Sequence, residues 1–243
     1  MKYNKQTHMW ESLYWHPAVT TDAVVFGFDG AKLNILLIER GNEPYINCWA
    51  LPGGFIREED KTAEESVYRE LQEETSVEDL YLEEFKTFSE ATRDPRERVI
   101  TIAFFALVIK DKYKIKGGDD AKTAKWFPVD ELPPLAFDHD KIIHEALERI
   151  RMRIHFEPIG FHLLDKEFTM PQLQNIYIAI LDPERKNPGL LDRRNFAKKM
   201  LKLGYIKPTG EKVTGNPHRS PKVYVFDEEV YLETKQRGMK LDF

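Results

Sequence analysis

The segment from Trp49 to Val77 limits this chain more than any other. It opens with WALPGGF, a short apolar run ending in the glycine pair Gly53-Gly54, and passes through an acidic loop. Glycines at such a point let backbone approach a ligand where a side chain would obstruct it. Thr62 and Glu65 then have capping-box spacing, which predicts a helix from Ala63 to about Thr75. In that helix Glu70, Glu73 and Glu74 fall at i, i+3 and i+4, so three carboxylates share one face. A face of this kind is either a solvated acidic surface or a place for cations. Mg²⁺ suits it chemically, because it prefers carboxylate oxygens and shares its shell with phosphates. On spacing alone the solvated surface is the simpler reading, and the surrounding residues must decide.

Upstream, Ala18–Phe28 and Lys32–Ile38 read as strands joined by a hairpin turn at Asp29-Gly30. Further strands are predicted near Leu80–Phe88, Val99–Ile109 and Lys125–Val129, and Asp138 can cap a helix running to about Met152. The character changes over residues 153–168, after which helices predominate. Thr169 caps a segment with Leu173, Ile176, Tyr177, Ile180 and Leu181 at helical spacing. The stretch Asp182 to Gly189 breaks it, and Asp192 caps a second helix ending at Gly204. Tyr205–Lys207, a turn-rich loop with Pro208, Gly210, Gly215 and Pro217, and a strand Lys222–Phe226 complete the pattern. The expected division is residues 1–155 and 156–243. No apolar run approaches the roughly 18 residues of a membrane span, and the first residues lack the apolar core of a secretory signal. A single cysteine, Cys48, forms no internal disulfide and reads as a small buried hydrophobe, so a cytoplasmic setting is expected.

Charge is unevenly spread. The net value is −5, yet residues 185–222 hold eleven Lys or Arg against Asp192 and Glu211. In the second helix of this region Phe196, Ala197, Met200 and Leu203 share one face, and Arg194, Asn195, Lys198, Lys199 and Lys202 the other. Basic helix faces are commonly just solvated. Here, however, a preceding helix and a following loop with Lys212, His218, Arg219 and Lys222 match a helix-turn-helix with a wing. Lys and Arg neutralise phosphates or read guanine, and Asn reads adenine. The candidate DNA contacts are therefore Arg194, Asn195, Lys198, Lys199, Lys202, Lys212, Arg219 and Lys222.

The run from Gly54 to Val77 resembles the Nudix box, G-x5-E-x7-R-E-U-x-E-E-x-G-U, at Gly54, Arg69, Glu70, Leu71, Glu73, Glu74 and Val77. The loop before Arg69 is one residue longer than the motif, leaving Glu59 or Asp60 as candidates for its first Glu, and Ser76 replaces its last Gly. With HPAVTTDAVVF (16–26), LLIERGNEPYINCWALPGGF (36–55), RDPRERV (93–99) and Phe168 to Tyr205, the whole resembles Nudix-related transcriptional regulators of the NrtR and AraR types. The resemblance implies an α+β chain: an N-terminal Nudix α/β/α mixed-sheet sandwich and a C-terminal winged helix-turn-helix. It further implies a homodimer on a double-stranded operator, released by ADP-ribose or a sugar such as arabinose. By the same likeness Arg40, Gly53, Gly54, Arg69 and Arg93 would bind the effector, with Arg suited to a diphosphate. The alternative is a Mg²⁺-dependent hydrolase of ADP-ribose or a related nucleoside diphosphate. There Glu70, Glu73 and Glu74 would be metal ligands, Glu73 the catalytic carboxylate, and the metal would polarise phosphate and activate water. An RNA-processing Nudix protein is a third reading, less suited to a helix pair with a wing.

Overall fold

A computed structural model describes residues 1–116, 121–213 and 220–236. A small hairpin of β1 (Lys2–Asn4) and β2 (Met9–Glu11) precedes a seven-stranded mixed sheet. Its centre is β3 (Ala18–Phe28), paired antiparallel with β4 (Leu33–Arg40) and parallel with β8 (Val99–Ile109) over all eleven residues, Ala18 opposite Val99 and Phe28 opposite Ile109. Around them lie β5 (Trp49–Ala50), β6 (Gly53–Phe55), β7 (Glu83–Phe88) and β9 (Ala121–Pro128). From Thr20 to Phe28 every residue of β3 is buried, as a strand covered on both faces requires.

The alternation of β3 assigns the two faces. Ala23 and Val25 join Leu36, Phe104 and Ala106 beneath α1 (Ala63–Thr75), which contributes Val67 and Leu71. Val24, Phe26 and Phe28 join Leu37 and Phe105 beneath α2 (His139–Arg153), which contributes Ile142, Ile143, Ala146, Leu147 and Ile150. The result is an α/β/α sandwich.

After α2 comes a second unit: β10 (Glu167–Thr169), α3 (Met170–Leu181), α4 (Pro188–Leu191), α5 (Arg193–Lys202), β11 (Ile206–Lys212), β12 (Lys222–Phe226) and α6 (Glu228–Gln236). Its three strands are ordered β10-β12-β11. The apolar cluster beneath α2 continues without a break through Ile154, Ile159 and Leu163 to Phe168, Leu173, Tyr177, Phe196 and Met200. Polar contacts fasten the same junction. The Arg151 Nε donates to the carbonyl of Ile180 at 3.0 Å and the Asn175 amide to that of Gly30 at 3.3 Å, while Arg153 ties the end of α2 to Glu83 of β7 and to Glu157.

Several local expectations are modified. Thr62 accepts from the Glu65 amide, but Glu65 reaches the amide of Lys61, one residue before the cap. Asp138 precedes α2 without capping it, because its carboxylate is held by Arg93. The stretch between the two helices of the second unit is ordered by a one-turn helix, α4, whose cap Asn187 accepts from the amides of Gly189 and Leu190. β11 runs through Pro208 to Lys212. An edge strand tolerates the missing N–H, and its register shifts beside Gly210, at φ +90°. No described helix is long and apolar enough to cross a membrane.

Ser76 ends α1 in the left-handed region, at φ 59° and ψ 23°. That conformation costs a non-glycine residue roughly 1–2 kcal/mol, of which a glycine would recover part after its own entropy loss of about 0.5–1 kcal/mol. Ser76→Gly is expected to stabilise the chain by up to about 1 kcal/mol. A lower urea midpoint for the variant would contradict this account of Ser76.

Candidate functional site

The β3–β6 pairing places Gly53 and Gly54 opposite Asp22 and Thr21 on the floor of a cleft of about 400 Å³. A Cβ on Gly53 would lie 2.1 Å from the Thr21 carbonyl oxygen, and one on Gly54 2.6 Å from the Glu70 carboxyl carbon. The glycine pair therefore lets β6 lie against β3 and lets the α1 carboxylates come up to the backbone.

Of the five residues expected to meet an effector, Arg40, Gly53, Gly54 and Arg93 line this cleft. Arg93 is buried. It forks onto Asp138 (Nη2–Oδ1 2.9 Å, Nε–Oδ2 3.2 Å) and comes within 3.6 Å of Asp22, so it is an interior ion pair rather than a surface bridge. Arg40 donates to the carbonyls of Pro44 and Asn42 and lies 4.9 Å from the Phe137 ring centroid. Arg69 does not line the cleft. Its Nε and Nη2 fork onto Asp60 at 2.9 and 2.6 Å, and its Nη1 donates to Glu70 at 2.6 Å. Between the two candidates for the box's first acid, Asp60 is the one that meets Arg69, which holds its carboxyl well below the usual range.

The three α1 carboxylates have separate fates. Glu73 accepts a fork from Arg57 at 3.1 and 2.8 Å and a further contact from Arg69 at 3.3 Å. Glu70 is pushed up by burial, against the pull of Arg69. Glu74 turns inward to accept from the Gly53 amide at 2.9 Å, and burial pushes it up to about 8. Among the described residues no three carboxylate, histidine or cysteine side chains group as a metal shell would need. As arranged, arginines already hold Glu70 and Glu73, so a divalent cation would have to displace them.

The cleft also contains residues that sequence reasoning missed. Arg96 forks onto Asp94 and lies 5.1 Å from the Phe55 ring and 5.6 Å from that of Phe137, a cation between two aromatic faces at the cleft wall. Burial raises the Asp94 carboxyl, but Arg96 more than offsets it. His139, the first residue of α2, is buried and its pKa is lowered by that burial. Its Nδ1 accepts from the Leu51 amide at 2.8 Å, which assigns the proton to Nε2, 3.6 Å from Asp22. Only the quoted stretch RDPRERV hinted at Arg96.

In the second unit Phe196 and Met200 are buried while Arg194, Asn195, Lys198, Lys199 and Lys202 are exposed on α5. Asp192 caps the helix, accepting from the amides of Arg194 and Asn195 and from the Asn195 side chain. Asp182 accepts from the amides of Lys186 and Asn187, and Gln174 donates to the Leu190 carbonyl, so the long connection is held rigidly. Lys212 and Lys222 stand opposite each other at the base of the wing. Arg219 lies outside the described residues.

Residues 16–146 match the NUDIX domain family, and residues 160–226 the NrtR DNA-binding winged helix domain. The chain belongs to the NrtR-type Nudix regulators. It is 31% identical over 91% of its length, and 86% of the relative's, to an ADPR responsive transcriptional repressor of Acinetobacter baylyi. Over 56% of its length, and 76% of the relative's, it is 46% identical to an ADP-ribose pyrophosphatase of Methanocaldococcus jannaschii. NrtR of Shewanella oneidensis, solved with a 27mer DNA, aligns over 87% of this chain and 94% of that one at TM-score 0.69 and 29% identity. The NUDIX domain of the same protein, solved with ADP ribose, aligns over 61% of this chain and 94% of that one at TM-score 0.52 and 33% identity. Within this NrtR-type architecture the glycine pair has a measurable structural role. Because the Thr21 carbonyl is backbone and cannot swing away, Gly53→Ala is expected to cost at least about 2 kcal/mol in denaturant unfolding. A loss within a few tenths of a kcal/mol would mean that β6 relaxes freely.

Proposed function

We propose that this chain is a homodimeric transcriptional repressor whose residues 1–155 bind an ADP-ribose-like nucleotide and whose residues 156–243 bind operator DNA. The observation that carries this reading is the unbroken apolar cluster from α2 to the winged helix, which makes sensor and reader one packed body. Arg40, Gly53, Gly54 and Arg93 serve the effector from the cleft, and Arg69 supports them from behind. Arg194, Asn195, Lys198, Lys199 and Lys202 enter the major groove, while Lys212, Arg219 and Lys222 meet the backbone beside it.

Ligand control requires that the nucleotide bind the DNA-incompetent arrangement more tightly than the competent one. Helix α2 offers the route. Its start is held in the cleft through Asp138–Arg93 and His139–Leu51, and its last turn holds α3 through Arg151. A shift of that helix would re-aim α5 in each protomer and spoil the separation needed for two half-sites about 34–36 Å apart, or a multiple of that.

The second reading, a Mg²⁺-dependent hydrolase of ADP-ribose with Glu73 as its catalytic carboxylate, draws on the 46% identity to a pyrophosphatase. Fluorescence anisotropy on DNA from upstream of the gene, with and without ADP-ribose, separates the two when nucleotide breakdown is followed in the same tubes. Tight binding relieved by ADP-ribose without matching breakdown is expected. Rapid Mg²⁺-dependent breakdown with no specific DNA binding would establish the enzyme instead. In the same assay, Lys198→Ala with Lys199→Ala is expected to weaken operator binding at least roughly tenfold and flatten the salt slope by about 2. Unchanged affinity at physiological salt would remove α5 from the interface.

A further inference from the structure

We propose that Arg57 is a built-in cation occupying the carboxylate face where a divalent metal would have to bind, so that the cleft receives a nucleoside diphosphate on a guanidinium rather than on a metal. The inference rests on the reading of this cleft as a nucleotide site.

Arg57 lies two residues beyond β6, in the loop that leads to α1. Its Nη1 and Nη2 fork onto the two oxygens of Glu73 at 3.1 and 2.8 Å, and its Nη2 lies 4.0 Å from Glu70. The fork is positioned from the backbone. Asp60 accepts from the Arg57 amide at 2.8 Å while binding the Arg69 guanidinium, so one carboxylate places both arginines. Arg69 then takes Glu70 and the second oxygen of Glu73. An incoming dication would face two positive charges and would have to break charge-assisted, bidentate bonds. A guanidinium stays protonated and has no coordination position for water, so it can neutralise a phosphate but not activate a nucleophile. Arg57 differs from Arg69 in one respect that matters. It lines the cleft, with 42% of its side chain exposed, whereas Arg69 lies behind the wall. Its donors can therefore turn from Glu73 to the oxygens of a diphosphate.

The test uses the full chain and Mn²⁺ alone, counting free Mn²⁺ by its electron paramagnetic resonance signal. Wild type is expected to bind Mn²⁺ weakly, and Arg57→Gln at least roughly tenfold more tightly, with a matching loss of ADP-ribose affinity in metal-free buffer. Equal Mn²⁺ binding by both proteins, or tighter binding by wild type, would overturn the assignment. Circular dichroism and operator binding check the fold of the variant. Should Arg57→Gln fail to fold, Arg57→Lys keeps one charge without the fork. It should bind Mn²⁺ more tightly than wild type, and equality would again overturn the proposal. The functional reading is tested separately: failure of ADP-ribose to relieve operator binding by wild type refutes the sensor, whatever the Mn²⁺ result.

Discussion

Helix α2 presents Ile142, Ile143, Ala146, Leu147 and Ile150 along one side, and that stripe has to find an apolar surface. The sheet supplies it through Val24, Phe26, Leu37 and Phe105. Burying side chains of this kind is worth roughly 1.5–3 kcal/mol each, so the helix is held firmly against the sheet. Its two ends then have fixed addresses. The first residue, His139, closes the floor of the cleft, and the last turn meets α3 and the β7 acid Glu83. Close-packed interiors pass displacement to their neighbours instead of absorbing it. The cleft and the second unit, attached to opposite ends of such an element, cannot be repositioned independently.

The cleft meets a second constraint, the cost of burying charge. Unpaired ions are expensive in the interior, and the buried Arg93 is accordingly matched by Asp138, while the more exposed Arg96 and Arg57 are paired with Asp94 and Glu73. A diphosphate entering this space competes with carboxylates already in place, and it gains only what a stronger acceptor adds. This favours a ligand that makes several such exchanges at once and that also offers a flat ring to the aromatic wall of Phe55 and Phe137.

Much of this was legible in the sequence because it is local. The bounds of β3, β8 and α1 follow from unbroken apolar runs and from the Thr62 cap, and the basic face of α5 follows from helical spacing. The rest depends on partners distant in the chain. Asp138 has the form of a helix cap, but Arg93, 45 residues earlier, competes for it and wins. Arg57 looks like a loop arginine until the fold brings it to Glu73, and Arg96 until Phe55 and Phe137 flank it. Arg69 reads as an anion binder in isolation, while Asp60 and Glu70 have already claimed its donors. Short elements such as β6, β10 and α4 carry too few residues for any period to show, and pairing or capping decides them.

The strands of the wing show the converse, with like charges set opposite one another. Lys212 and Lys222 face each other across β11 and β12, an arrangement that destabilises a sheet when nothing lies between like charges. Nearby, Gly210 weakens the pairing further, and the register slips between Pro208 and Lys212. A sheet selected for stability alone would not concentrate these features at one end. In the proposed operator complex, a polyanion laid along them would remove the repulsion, and the counterions it released would turn that local weakness into binding free energy. Departures from local rules thus gather at the wing, where operator binding is proposed, as they do at the cleft proposed for the nucleotide. On that proposal, the side chains in both places are arranged for a charge that the partner brings.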